Sequence, residues 1–139
     1  MMECIFCRIV AGELPCYKVY EDADALAFMD INPLAAGHVL VVPKTHCVNL
    51  FDVEEPVLRH TIAAVRKVAR ALKRCLDLDS MNLVQANGPW ALQSVPHLHF
   101  HLVPRHKDDG VPLDWNLNPG DKNVIRALGE KLAAAVAQG

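Results

Sequence analysis

The segment "HLHFHLV", residues 97–103, constrains the fold more than any other stretch of the chain. His97, His99 and His101 alternate with Leu98, Phe100 and Leu102. Successive side chains of a strand point to opposite faces, so a strand here buries three large apolar residues and aligns three imidazoles roughly 6.5 Å apart. A helix would scatter the same rings around its circumference. The alternation predicts a strand with a core behind it and a titratable surface in front. Each neutral ring needs a partner for its N–H, which favours chemistry over a purely structural role. Two chemistries fit the residues. Alternate histidines can hold zinc with an open water position, or flanking groups can fix the tautomer of a nucleophilic His99.

The rest of the chain supplies a body for that strand. With 139 residues, 52% hydrophobic and 22% charged, one globular domain over residues 1–139 is expected. "CIFCRIVAG" reads as a short helix with an Ile5, Phe6 and Ile9 stripe. "CYKVYED", "ALAFMDI", "HVLVVPK" and "SMNLVQANG" read as strands. Asp52 and Glu55 resemble a capping box for a long helix through Leu58, Ile62, Val65, Val68, Leu72 and Cys75. A second amphipathic helix runs through Val124, Leu128, Leu132 and Val136. The expected class is α+β, a mostly antiparallel sheet of about five strands with a long helix on one face.

A net charge of −2 argues against a nucleic-acid partner. No apolar run is long enough to span a membrane. Five cysteines and an N-terminus without a signal-like core point to a cytoplasmic location and reduced thiols. No Walker-type or G-x-G-x-x-G loop is present.

Beyond the heptad, "CIFCRIVAGELPCYKVYEDADALAFMDINPLAAGHVLVVPKTH" and "NGPWALQSVPHLHFHLVPR" resemble the Hint-type branch of the histidine triad superfamily, enzymes that hydrolyse or transfer nucleotides. The likeness covers nearly the whole chain. It implies that His99 attacks the α-phosphorus and becomes nucleotidylated. His97, His101 and His38 would orient it or bond the phosphate or leaving group, and Gln93 and Ser94 would contact the phosphate. Asp30 would bind the ribose hydroxyls beside Ile31, with Phe6, Ile9, Phe28 and Leu40 around a purine base and Asn87 in the nucleotide-binding loop. Many bacterial members of the branch carry structural zinc, which here implies Cys4, Cys7, His46 and His97 as ligands. The resemblance also implies a homodimer, with the long helix and "SMNLVQANG" at the interface and Trp115 reaching toward the partner, and no organic cofactor. Three positions depart from the pattern: Leu92 stands where a glycine is common, Trp90 adds bulk, and Ala86 replaces an asparagine.

The expected substrate is a purine nucleoside phosphoramidate or a related nucleoside 5′-phosphoryl compound. Dinucleoside polyphosphate hydrolysis of the Fhit-like kind, a nucleotide-binding protein with vestigial activity, and a zinc hydrolase are the rivals.

Overall fold

A computed structural model describes residues 3–113 and 117–139; Trp115 lies outside the described residues. The elements follow in the order α1 (Ile5–Val10), β1 (Lys18–Glu21), β2 (Ala25–Met29), β3 (Val39–Pro43), α2 (Glu55–Leu76), β4 (Ser80–Val84), β5 (Phe100–Arg105) and α3 (Lys122–Ala137). The strands form one sheet in the order β1-β2-β3-β5-β4, and every neighbouring pair is antiparallel. The chain is α+β, as the pattern predicts.

Central β3 reads "VLVVP" and is buried throughout, because both faces of the sheet are covered. On one face Ala27, Val39, Val41, Phe100 and Leu102 pack against Ala64, Val65 and Val68 of α2. On the other, Leu26, Phe28, Leu40 and Val42 pack with Cys4 and Phe6 around α1. Leu98 and Leu102 are at most 1% exposed, and burial of such a side chain contributes about 1.5–3 kcal/mol.

Three local readings are corrected. The hydrogen-bonded strand begins at Phe100, not His97, although Leu98 N–H still donates to the Cys47 carbonyl at 2.8 Å. The alternation of faces therefore outruns the ladder by three residues. Asp52 does not cap α2, whose N-cap is Glu54 without a side-chain bond. Its carboxylate instead accepts from the N–H groups of Val48 and Asn49, a local turn that competes with capping. The buried stripe of α2 is Thr61, Ala64, Val65 and Val68, while Ile62 and Cys75 are exposed. Small residues let the helix approach the sheet closely, and the Thr61 hydroxyl is satisfied by the Val57 carbonyl at 2.7 Å.

Gly37 has φ +91, and a Cβ there would stand 2.7 Å from Leu76 Cδ1 and 3.1 Å from Pro104 Cγ. The turn it permits delivers His38 to the start of β3. In α3, Val124, Leu128, Leu132 and Val136 are all more than half exposed, so its apolar face is left largely uncovered by the described residues.

Candidate active site

Backbone groups fix the protonation of four rings. A carbonyl only accepts, so His99 Nδ1–H donates to the His97 carbonyl at 2.8 Å and its Nε2 keeps a lone pair. By the same reasoning His97 Nε2–H donates to the Pro43 carbonyl at 2.9 Å, leaving Nδ1 unprotonated. The Leu34 N–H donates to His38 Nδ1 at 3.0 Å, which places the His38 proton on Nε2. That Nε2–H faces His101 Nδ1 at 3.0 Å, so His101 carries its own proton on Nε2.

Burial keeps these rings neutral. It pushes His97, His99 and His38 below the ordinary histidine value. For His38 this outweighs the Asp30 carboxylate 3.4 Å away, which acts in the opposite direction. Burial, then the neighbouring rings of His99 and His38, take His101 down to about 4.

Two cavities meet over this row. The first, about 360 Å³, is lined by Phe6, Ile9, Phe28, Leu40, Asp30 and Ile31, with Ser94, His99 and His101. Cross-strand register explains the apolar wall: Phe28 sits opposite Leu40, and Leu40 opposite His101. Phe6 stands edge-on to both Phe28 and His99, with centroids 5.5 and 5.2 Å apart. The second, about 390 Å³, holds Leu34, His38, Val84, Val103 and Leu113, and shares Asp30, Asn32, Ser94 and His101 with the first.

Beside the first cavity, Cys4 Sγ, Cys7 Sγ, His46 Nδ1 and His97 Nδ1 lie within 4.8 Å of one another. Contacts between sulfur and nitrogen are 3.2–3.5 Å, and the two nitrogens are 3.2 Å apart. A tetrahedron with zinc bond lengths has edges of about 3.5 Å (S to N) and about 3.3 Å (N to N). The proton-free Nδ1 of His97 points into this group, so donor chemistry as well as distance fits a cation. Without a cation, burial and then Cys4 hold the Cys7 thiol up at about 11.

Three expected site residues have side chains that point away from the two cavities. The His97 ring faces the cysteines and lines neither cavity; only its carbonyl serves His99. Gln93 lines neither cavity: its Nε2 donates to the carbonyls of Val48 and Val95, while its Oε1 accepts from Asn49 and Gly88. Asn87 likewise exchanges bonds with Gln85 and accepts from the Leu50 N–H. Both amides tie the loop of residues 86–94 to that of residues 47–53.

Sequence reasoning missed Leu14, Pro15, Cys16 and Val95 in the first cavity, and only "ELPC" after the α1 glycine hinted at a chain reversal there. Leu92 adopts φ +64 and is 86% exposed, so the leucine occupies a backbone conformation that suits glycine.

The HIT domain family model matches residues 11–108. An adenosine 5′-monophosphoramidase of Schizosaccharomyces pombe is 37% identical, covering 97% of this chain and 99% of that protein. A crystal structure from Streptococcus mutans superposes with TM-score 0.92 at 38% identity, covering 98% of this chain and 87% of that one. A zinc-bound histidine triad family protein from Mycobacterium smegmatis gives TM-score 0.75 at 35% identity, with 99% of each chain covered.

Proposed function

Because the chain belongs to the HIT domain family, we propose that it is a hydrolase of purine nucleoside phosphoramidates, or related nucleoside 5′-phosphoryl compounds, acting through a nucleotidyl-His99 intermediate. The carrying observation is the 2.8 Å bond from His99 Nδ1–H to the His97 carbonyl, which leaves Nε2 basic on a ring lining the first cavity.

The base enters between Phe6, Ile9, Phe28 and Leu40, and Asp30 receives the ribose hydroxyls beside Ile31. His99 Nε2 attacks phosphorus and forms a P–N bond. The substrate's P–N bond breaks, and the amine, its nitrogen protonated from solvent, leaves neutral with the bonding pair. The imidazolium charge is met at Nδ1–H by the His97 carbonyl. Water then displaces His99, releasing the nucleoside monophosphate and a proton. His101 Nε2–H and the Ser94 hydroxyl donate to the non-bridging oxygens as charge develops. The neutral state of His101 at pH 7 supports a hydrogen-bonding role, not that of a general acid.

Cys4, Cys7, His46 and His97 would hold zinc in a structural role. Two thiolates and two imidazoles would supply a full set of four ligands, and the ion would pin α1 to the end of β3. The reaction as written calls for no organic cofactor. Adenosine as the nucleoside is supported by the naming of the Schizosaccharomyces pombe relative. The exposed apolar face of α3 and the outer edge of β4, unpaired among the described residues, support a homodimer. No described helix is long and apolar enough to cross a membrane, and reduced thiols remain the support for a cytoplasmic setting.

The test is incubation with adenosine 5′-phosphoramidate, acid quench and intact-protein mass spectrometry. A nucleotidyl adduct absent from His99→Asn, with release of AMP, is expected. Turnover by His99→Asn at more than a few per cent of the parent rate would discard the assignment.

A further inference from the structure

The Gln93 carboxamide, one residue before Ser94, is saturated. Its Oε1 accepts from Gly88 N–H at 2.8 Å and from Asn49 Nδ2–H at 3.2 Å. Its Nε2 donates one proton to the Val48 carbonyl at 2.6 Å and the other to the Val95 carbonyl at 3.0 Å. A carboxamide has two lone pairs and two N–H bonds, so nothing remains for a phosphate oxygen. The same partners fix which way the amide faces. Turned over, it would set its N–H groups against two donors and its oxygen against two carbonyls. Three of those partners are backbone groups. Asn49 is the fourth, and the one that a substitution can change.

Asn49 is itself held in place. It is buried, its N–H donates to Asp52 Oδ1 at 2.9 Å, and its Oδ1 accepts from Phe51 N–H at 3.0 Å. That leaves Nδ2 facing Gln93. On the far side, the bond from Gln93 Nε2 to the Val95 carbonyl spans Ser94, and the same carbonyl accepts from His97 N–H at 2.8 Å. Ser94, which lines both cavities, is thus bracketed by bonded residues. Its loop carries strain that such a brace opposes, because Leu92 holds φ +64 two residues away.

We propose that Asn49 is a positioning residue for phosphoryl transfer: it holds the Gln93 carboxamide in one orientation and through it sets the Ser94 hydroxyl over the phosphorus. Gln93 acts through this brace and not on the phosphate. The proposal rests on the phosphoramidate reading and adds to it a residue that touches no substrate.

A double-mutant cycle with adenosine 5′-phosphoramidate tests it. Asn49→Asp keeps the size of the side chain but turns a carboxylate oxygen toward Gln93 Oε1, so the amide loses its orientation. It should lower kcat by about tenfold or more, the scale of a misplaced catalytic group. KM should change by less than about threefold, since the base and ribose walls are untouched. Ser94→Ala should lower kcat by about a hundredfold. In the Ser94→Ala background, Asn49→Asp should have little further effect, because the group it positions is gone. A mere loss of folded protein would instead lower the rate by the same factor in both backgrounds. Equal factors in the two backgrounds, an unchanged kcat in Asn49→Asp, a loss confined to KM, or parent-like turnover by Ser94→Ala would overturn the proposal while the phosphoramidase reading stands. No turnover by the parent would sink both.

Discussion

His38 Nε2 and His101 Nδ1 stand 3.0 Å apart, and the proton between them belongs to His38. The reason lies upstream, where the Leu34 N–H occupies the other His38 nitrogen. A backbone amide thus decides that His101 presents an N–H toward the shared wall of the two cavities. His38→Leu removes the donor and frees His101 to switch tautomer. Loss of a transition-state donor lowers kcat by about a hundredfold or more, with a smaller effect on KM. His38→Gln retains an N–H at the Nε2 end and should recover part of that loss. His38→Asn, which places its polar atoms at the Nδ1 end, should not. Steady-state kinetics of the three variants decide it, and equal rates for Gln and Asn would remove the relay.

The depressed value of His101 has a pH signature. In the unfolded chain the ring takes a proton near 6.5, whereas in the folded protein it does so only near 4. A neutral native ring therefore gives stability that is present above 6.5 and is lost as pH falls through that value toward 4. His101→Gln cannot titrate, so its melting temperature should fall less steeply over this window. Thermal melts of both proteins at pH 7, 5.5 and 4.5 check this, and parallel slopes would contradict it.

A cation at the cysteine site must displace protons, because the Cys7 thiol is held up at about 11 without one. Zinc titrated into metal-free protein at pH 7 should release protons, measured by calorimetry in buffers of different ionisation enthalpy. Apparent affinity should weaken as pH is lowered. Cys4→Ser combined with Cys7→Ser should abolish the proton release, lower the melting temperature and keep measurable turnover. Full zinc content by elemental analysis in that variant would count against the ligand set.

Leu92 tests the loop. Left-handed backbone costs a non-glycine residue roughly 1–2 kcal/mol, against about 0.5–1 kcal/mol for the extra freedom of an unfolded glycine. Leu92→Gly should therefore stabilise by about 0.5–1 kcal/mol, since the side chain is 86% exposed and little packing is lost. Urea denaturation measures it, and a destabilised variant would show that the leucine side chain has a partner.

The sheet and the triad were legible because a period of two is a strong signal when large apolar residues alternate with polar ones. Phe100 and Leu102 had to go inward, and His99 and His101 followed on the opposite face. Residues whose role depends on a hydrogen bond were not legible. Gln93 and Asn87 sit beside the triad in sequence, yet their amides serve the neighbouring loop, and nothing in their spacing distinguishes a loop brace from a phosphate ligand. Asp52 was misread for a similar reason, since an acidic residue three before a glutamate can accept from the loop that precedes it as well as cap the helix that follows. The His97 ring was assigned to the phosphate as well as to the metal, and only the Pro43 carbonyl resolves which way its free nitrogen points.

Leu98, Phe100 and Leu102 are wedged between the histidines and locked into the core on the face opposite them. Each ring is thus joined through a single peptide unit to a neighbour whose side chain cannot shift without moving it. A saturation screen scored only on turnover would place these three apolar positions alongside the histidines. In such a map of sensitivity, the footprint of the active site would extend through the sheet to its other side, where no substrate ever reaches.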